Sequence, residues 1–231
     1  MMFAIPAEAH VVTPADDRIL NQMLILYADH EMNATTTTVR VVASARANLF
    51  ACINAGICSL WGSRESDATM PPALMLLRMI DNNLTPDQYF EKFLQGREQL
   101  KLNGFGHAAY EGEDPRAKIS RRIFHDYLKS HPEAKYDPLI QKGLDVEHFA
   151  MNHTVFKQLK MYPNVEFYSA LIFKMLGIPP EMNNVIRTIG KLAGWLGHWS
   201  EARQDTERRV YRPRQMYSGD LNRSYVPIEQ R

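Results

Sequence analysis

An all-α fold follows from three features of this 231-residue chain. Apolar residues recur at helical spacing through most of its length. Runs that alternate apolar and polar residues are absent. Prolines and glycines fall between the periodic segments as punctuation.

Asp16 to Tyr27 places Ile19, Leu20, Met23, Leu24 and Leu26 on one amphipathic face. Thr35 to Leu60 reads as one long run of small residues suited to close helix packing, and Gly62 to Pro72 as a polar loop. Pro72 to Asp81 and Thr85 to Gly96 are predicted helices, the second opened by a Thr85-Pro86-Asp87 cap. After a loop over 104–114, Pro115 to Leu128 is helical with a basic outer face at Lys118, Arg121 and Arg122. Leu144 to Lys160, Phe167 to Leu176 and Glu181 to Arg203 complete the helices, and Arg212 to Arg231 reads as an irregular tail.

Composition narrows the function classes. At 45% hydrophobic and 23% charged, the chain suits a globular protein of one or two domains. Lys+Arg 27 against Asp+Glu 26 gives no electrostatic case for nucleic acid or a membrane surface. The apolar stretches are too short to span a bilayer, and Met1 to His10 lacks the pattern of a secretory signal, so a cytoplasmic location is expected. Cys52 and Cys58 sit in an apolar segment and read as buried, inert thiols.

The chemistry concentrates in Gly104-Phe105-Gly106-His107 and Asp114-Pro115-Arg116-Ala117. Two glycines allow a ligand to approach the backbone closely. His107 supplies a hydrogen-bonding imidazole and Arg116 a guanidinium suited to a carboxylate. Four segments offer a second pole, each with an ordinary alternative. His30 in Ala28-Asp29-His30-Glu31 is a ligand or a helix-boundary histidine, and Glu166 is a base or a first-turn acid favoured by the helix dipole. Gly194-Trp195-Leu196-Gly197-His198-Trp199, with Lys191 a turn earlier, reads first as tight packing around a satisfied histidine. Arg212-Pro213-Arg214 is a solvated face or a stiff anion hook. His125, His131, His148 and His153 form no metal-ligand pattern, so no metal is expected.

These segments, in this order, resemble the C-terminal half of a bacterial citrate synthase of the hexameric type. The resemblance runs from about Ile19 to Gly219 and also rests on Leu24 to Ala34, Ser59-Leu60-Trp61-Gly62, Tyr162 to Ser169 and Arg212 to Tyr217. It implies a helical fold with a small domain at 65–177 and a reduced large domain from 16–64 and 178–231. It also implies condensation of oxaloacetate with acetyl-CoA. His30, His107 and Arg116 fall where the family binds the keto-dicarboxylate. Arg212 matches an arginine that reaches in from a neighbouring subunit, and Lys191 replaces the family's arginine.

Three departures stand out. Glu166 replaces the catalytic aspartate on an arm one methylene longer, and a misplacement of about 1 Å can cost on the order of a hundredfold in rate. Glu65 stands where the family has a histidine that stabilises the enol, and an ionised carboxylate there would repel the developing charge. Ala108, Ala109, Tyr110 and Glu111 replace basic residues that meet CoA. No cofactor is therefore expected, and acyl-CoA is disfavoured as co-substrate.

The reading that follows is an enzyme with altered catalytic residues, Glu65, His107 and Glu166. It would act on a keto-acid or dicarboxylate-like substrate by C–C bond formation or cleavage, in a specialised biosynthetic setting. The alternatives are a non-catalytic carboxylate-binding protein and a residual citrate or alkylcitrate synthase. A homodimer is expected through the small-residue run from Ala43 to Gly56, with Arg212 completing the partner's site.

Overall fold

The computed structural model describes residues 12–62, 70–96, 102–107, 110, 112–206, 209–219 and 222–230. Within these the chain is mostly helical and holds no strand, only an isolated antiparallel bridge between Phe105 and Pro163. The helices are α1 (Pro14–Ala28), α2 (Ala34–Ser44), α3 (Leu49–Leu60), α4 (Met70–Asp81), α5 (Pro86–Leu94), α6 (Pro115–Ser130), α7 (Pro138–Asn152), α8 (Thr154–Gln158), α9 (Val165–Met175) and α10 (Asn183–Gln204). No described helix is long and apolar enough to cross a membrane.

Side-chain caps set most of the helix starts. Thr13 and Asp16 form a reciprocal capping box ahead of α1, and Thr85 and Gln88 form another at α5. Asn33, Asn48, Asp114, Asp137 and Asn164 accept from first-turn amides of α2, α3, α6, α7 and α9. Two of these caps correct the sequence reading. The expected run from Thr35 to Leu60 is two helices, because Arg46 turns left-handed (φ 62°) and Asn48 starts a new one. The expected helix from Leu144 to Lys160 starts earlier, at the Asp137-Pro138 cap, and breaks at His153.

α9 is the centre of the molecule. Every residue from Val165 to Phe173 is buried, so the helix is apolar on all sides except at Glu166 and Ser169. Around it, Met23 and Tyr27 of α1, Leu76 and Met79 of α4, Phe124 of α6 and Ile140 of α7 complete the main core.

A second cluster joins α2, α3 and α10 through Val39, Ala43, Cys52, Leu60, Trp195 and Ala202. Ala43 and Gly56, expected on a self-complementary surface, are buried inside this chain's own core: a Cβ at Gly56 would lie 2.7 Å from Val39. Cys52 is buried as expected, whereas Cys58 is exposed. Six residues of helix carry the second thiol around to another face.

Candidate active site

The glycine-flanked loop is tied to the start of α9 by Asn164, beside a backbone bond from the Gly106 amide to the Tyr162 carbonyl at 2.9 Å. Asn164 caps α9 by accepting from the amides of Glu166 (3.0 Å) and Phe167 (3.3 Å). Its Nδ2 donates to the Gly106 carbonyl at 2.8 Å, and its own amide donates to the Gly104 carbonyl at 2.9 Å. Gly104 takes φ +83°, and a Cβ there would stand 2.9 Å from Cβ of Phe167, so glycine is required on both counts. The loop that carries His107 and the helix that carries Glu166 are thus held as one piece.

Arg116 is 8% exposed and is aimed by Asp114. Its Nε donates to Oδ1 at 3.1 Å and its Nη2 to Oδ2 at 2.9 Å. One edge of the fork is therefore occupied within the protein, and the Nη1 donors are those left for a ligand. Nη2 also lies 3.4 Å from Nε2 of His107. Burial would raise the Asp114 carboxyl, but the hydrogen bonds and charge of Arg116 hold it below its ordinary range.

His30 meets His107 edge to face, with ring centroids 5.7 Å apart. Burial pushes the His30 imidazole down to about 3, helped by the charges of Arg116 and Lys191 and, more weakly, His107 and Arg187. At neutral pH it is an uncharged imidazole. Lys191, 3% exposed, enters from α10. Gly194, one turn on, lets that helix press against the end of α1, since a Cβ there would collide with the Ala28 carbonyl oxygen.

Glu166 is 8% exposed, at the first turn of α9. Its Oε2 accepts from the Tyr27 hydroxyl at 2.9 Å, and Tyr27 Oη also lies 2.6 Å from Ser169 Oγ. Arg187 Nε stands 3.8 Å from the other carboxylate oxygen. Burial and the adjacent Glu166 charge keep the Tyr27 phenol well above its ordinary value, so it acts as a donor.

The structure thus brings His30, His107, Arg116, Lys191 and Glu166 into one linked region. Arg212 is not brought there: it lies exposed on the tail, where the neighbouring Tyr211 amide donates to Ser44 Oγ at 3.0 Å. Glu65, with Arg64 and Asp67, lies outside the described residues, as do Ala108, Ala109 and Glu111. His198 is satisfied as expected, between Asp29 Oδ2 (3.2 Å) and Arg40 Nη1 (3.1 Å). Sequence reasoning missed Tyr27, Asp114, Ser169 and Arg187. Only the Asp-Pro-Arg cap could have pointed to one of them, Asp114.

Ligand atoms of His30, Glu31 and His107 lie within 4.8 Å of one another, a set able to hold a divalent cation. Arg116, Lys191 and Arg187 all raise the positive potential felt by His30, and that field favours an anion in the same space.

A family model for the citrate synthase C-terminal domain matches residues 1–214. Among solved structures, citrate synthase from Pyrobaculum aerophilum is 32% identical, with a TM-score of 0.78 over 96% of this chain and 53% of that one. A ternary complex of the Thermoplasma acidophilum citrate synthase with carboxymethyl coenzyme A and oxaloacetate is 29% identical, with a TM-score of 0.76 over 95% and 56%. Citrate synthase from Thermotoga maritima is 29% identical, with a TM-score of 0.74 over 94% and 56%. The chain spans about half the length of these relatives. On the family model and the shared helical fold together, it belongs to the citrate synthase family.

Proposed function

We propose that the chain binds a keto-acid or dicarboxylate-like substrate and makes or breaks a C–C bond next to its carbonyl, with Glu166 as the base. The observation that carries this reading is the unequal environment of the Glu166 carboxylate. One oxygen is fixed by Tyr27, while the other faces only Arg187 at 3.8 Å among the described residues. A carboxylate held by one side and open on the other is placed to take a proton.

In this reading the substrate carboxylates face the free edge of Arg116 and the Lys191 ammonium, and Arg212 completes the pocket of a partner copy. Neutral His30 and the His107 imidazole donate hydrogen bonds to the keto oxygen. Glu166 removes a proton from the carbon next to the donor's carbonyl, and the C–H electron pair becomes an enolate. That enolate adds to the keto carbon, whose oxygen takes up a proton. Glu65 stands, by the resemblance, in the place of the family's enol-stabilising histidine, and would have to be protonated to assist an enolate. The Thermoplasma acidophilum relative, solved with oxaloacetate and carboxymethyl coenzyme A, supports the ligand class and keeps a residual citrate synthase activity as the second reading.

The test is calorimetry with oxaloacetate, followed by NMR of oxaloacetate and other keto acids offered with and without acetyl-CoA. Binding should weaken about ten- to a hundredfold in Arg116→Ala, the loss expected of a charged hydrogen-bond donor. Consumption of a keto acid that stops in Glu166→Gln supports the reading. Thiol release from acetyl-CoA with oxaloacetate would instead support citrate synthesis, and binding with no turnover a non-catalytic role. For the homodimer, light scattering at micromolar concentration should give twice the chain mass, and mixing Arg212→Ala with Glu166→Gln should restore activity.

A further inference from the structure

One arginine of α2 gathers the end of α1, the last turns of α10 and the tail. Arg40 Nη1 lies 3.1 Å from Nδ1 of His198 and pairs with Glu201, both on α10. A guanidinium has no acceptor, so Nδ1 of His198 accepts, the ring proton sits on Nε2, and Nε2 donates to Asp29 Oδ2 at 3.2 Å. The Tyr211 phenol is a further partner of Arg40. Hydrogen bonds from Arg40 to Glu201 and, against partial burial, to Tyr211 raise the guanidinium above its ordinary value. One turn along α2, Ser44 accepts from the Tyr211 amide at 3.0 Å, while its own hydroxyl donates to the Val41 carbonyl at 2.6 Å. Positions 40 and 44 share a face of the helix, so α2 grips the side chain and the backbone of one tail residue.

Arg212 comes next in the chain and is followed by Pro213. Proline fixes its own φ and bars the residue before it from helical backbone, so the step from Tyr211 to Arg212 has few conformations. Every described residue from 209 to 219 is exposed, so the tail has no core of its own to set its course. We propose that Arg40 and Ser44 are positioning residues that seat the tail on α2, so that Arg212 is held clear of its own chain's pocket and presented to the pocket of a second copy. This rests on the reading given above, that Arg212 completes a partner's site. An arginine on a loose arm has to order that arm each time a ligand binds, and the seat removes that cost beforehand. The ion pairs of the cluster add little to stability, because the Glu201 and Asp29 side chains are 71% and 50% exposed.

The test combines hydrogen exchange at the Tyr211 amide with calorimetry of oxaloacetate. Arg40→Gln and Ser44→Ala should each speed that exchange about tenfold or more. Each should also weaken oxaloacetate binding about as much as Arg212→Ala does, and Arg40→Gln added to Arg212→Ala should cost nothing further. Chains carrying Arg40→Gln are then mixed with chains carrying Arg116→Ala. Tight binding should return, because the intact tail of the second chain reaches the intact pocket of the first. Circular dichroism checks the fold, and Ser44→Ala carries the same mixing test if Arg40→Gln does not fold. Unchanged exchange at Tyr211 in both variants would overturn the proposal. So would a mixture that stays weak although Arg212→Ala mixed with Arg116→Ala recovers, since Arg40 would then act on its own pocket, through His198 and Asp29 beside His30. If the Arg212→Ala mixture itself fails to recover, the partner-site reading falls and the presentation of Arg212 to a second copy falls with it, while the exchange at Tyr211 still decides the seat.

Discussion

Glu147 and Glu166 are both buried carboxylates on long helices, 5% and 8% exposed, and they are treated in opposite ways. Glu147 on α7 is saturated. Tyr168 donates to it at 2.9 Å, Arg121 at 2.9 Å, and His125 lies 3.0 Å from either oxygen. Glu166 on α9 has the Tyr27 hydroxyl on one oxygen and an arginine at 3.8 Å from the other. Burial alone does not separate a structural acid from a reactive one. Spare hydrogen-bonding capacity sets these two apart, and it is the ground on which Glu166 rather than Glu147 is proposed as the base.

The contrast is broken or sharpened by exchanging each acid for its amide. Glu166→Gln should lower turnover by about a hundredfold to ten-thousandfold, the usual range for a general base, while thermal unfolding moves little. Asp114→Asn removes the partner of a buried guanidinium and should cost about 3–5 kcal/mol in chemical denaturation, with loss of dicarboxylate binding. Glu147→Gln should do the reverse of Glu166→Gln: about 1–3 kcal/mol of stability lost, with substrate affinity kept. If Glu147→Gln abolishes turnover and spares stability, the distinction between the two acids collapses. Tyr27→Phe should cost about 1 kcal/mol of stability and shift the pH dependence of turnover, since it removes the donor that holds Glu166.

A smaller effect concerns acid. The folded-state value of His30, about 3, lies below its ordinary 6.5, so between these limits the unfolded chain binds the extra proton. The His30 contribution to stability is present above about pH 6.5 and is lost as pH falls toward 3. Urea midpoints measured from pH 7 down to 4 should fall less steeply in His30→Gln. A bound dicarboxylate offsets the surrounding positive charge, so its binding should take up protons, visible as a dependence of calorimetric heat on buffer.

Much of the fold was legible because helix boundaries in this chain are written in short-range chemistry. Thr85-Pro86, Asp114-Pro115 and Asn164 each announce a start, and the structure uses all three. The break at Arg46 was not legible, since a left-handed arginine carries no local sign and is fixed by the packing of α2 on α3. In the site, His107, Arg116 and Glu166 lie beside turns or caps, where polar side chains need explaining. Tyr27 and Arg187 sit inside periodic helices and look like ordinary helix residues until α1 and α10 are packed against α9. Their partners lie 139 and 21 residues away, and one-dimensional spacing says nothing about such pairs.

The double use of Asn164 bears on how this chain tolerates change in length. His107 and Glu166 are 59 positions apart, yet four hydrogen bonds of a single residue tie the loop of one to the helix of the other, beside the Gly106–Tyr162 backbone bond. The stretch from Ser130 to Thr154 lies outside that clamp. At position 164 even aspartate, which cannot donate from its side chain, would lose the bond to the Gly106 carbonyl and keep only the backbone bond to Gly104. The metric of the site is therefore set by short cross-links between its two halves rather than by the contour length between them.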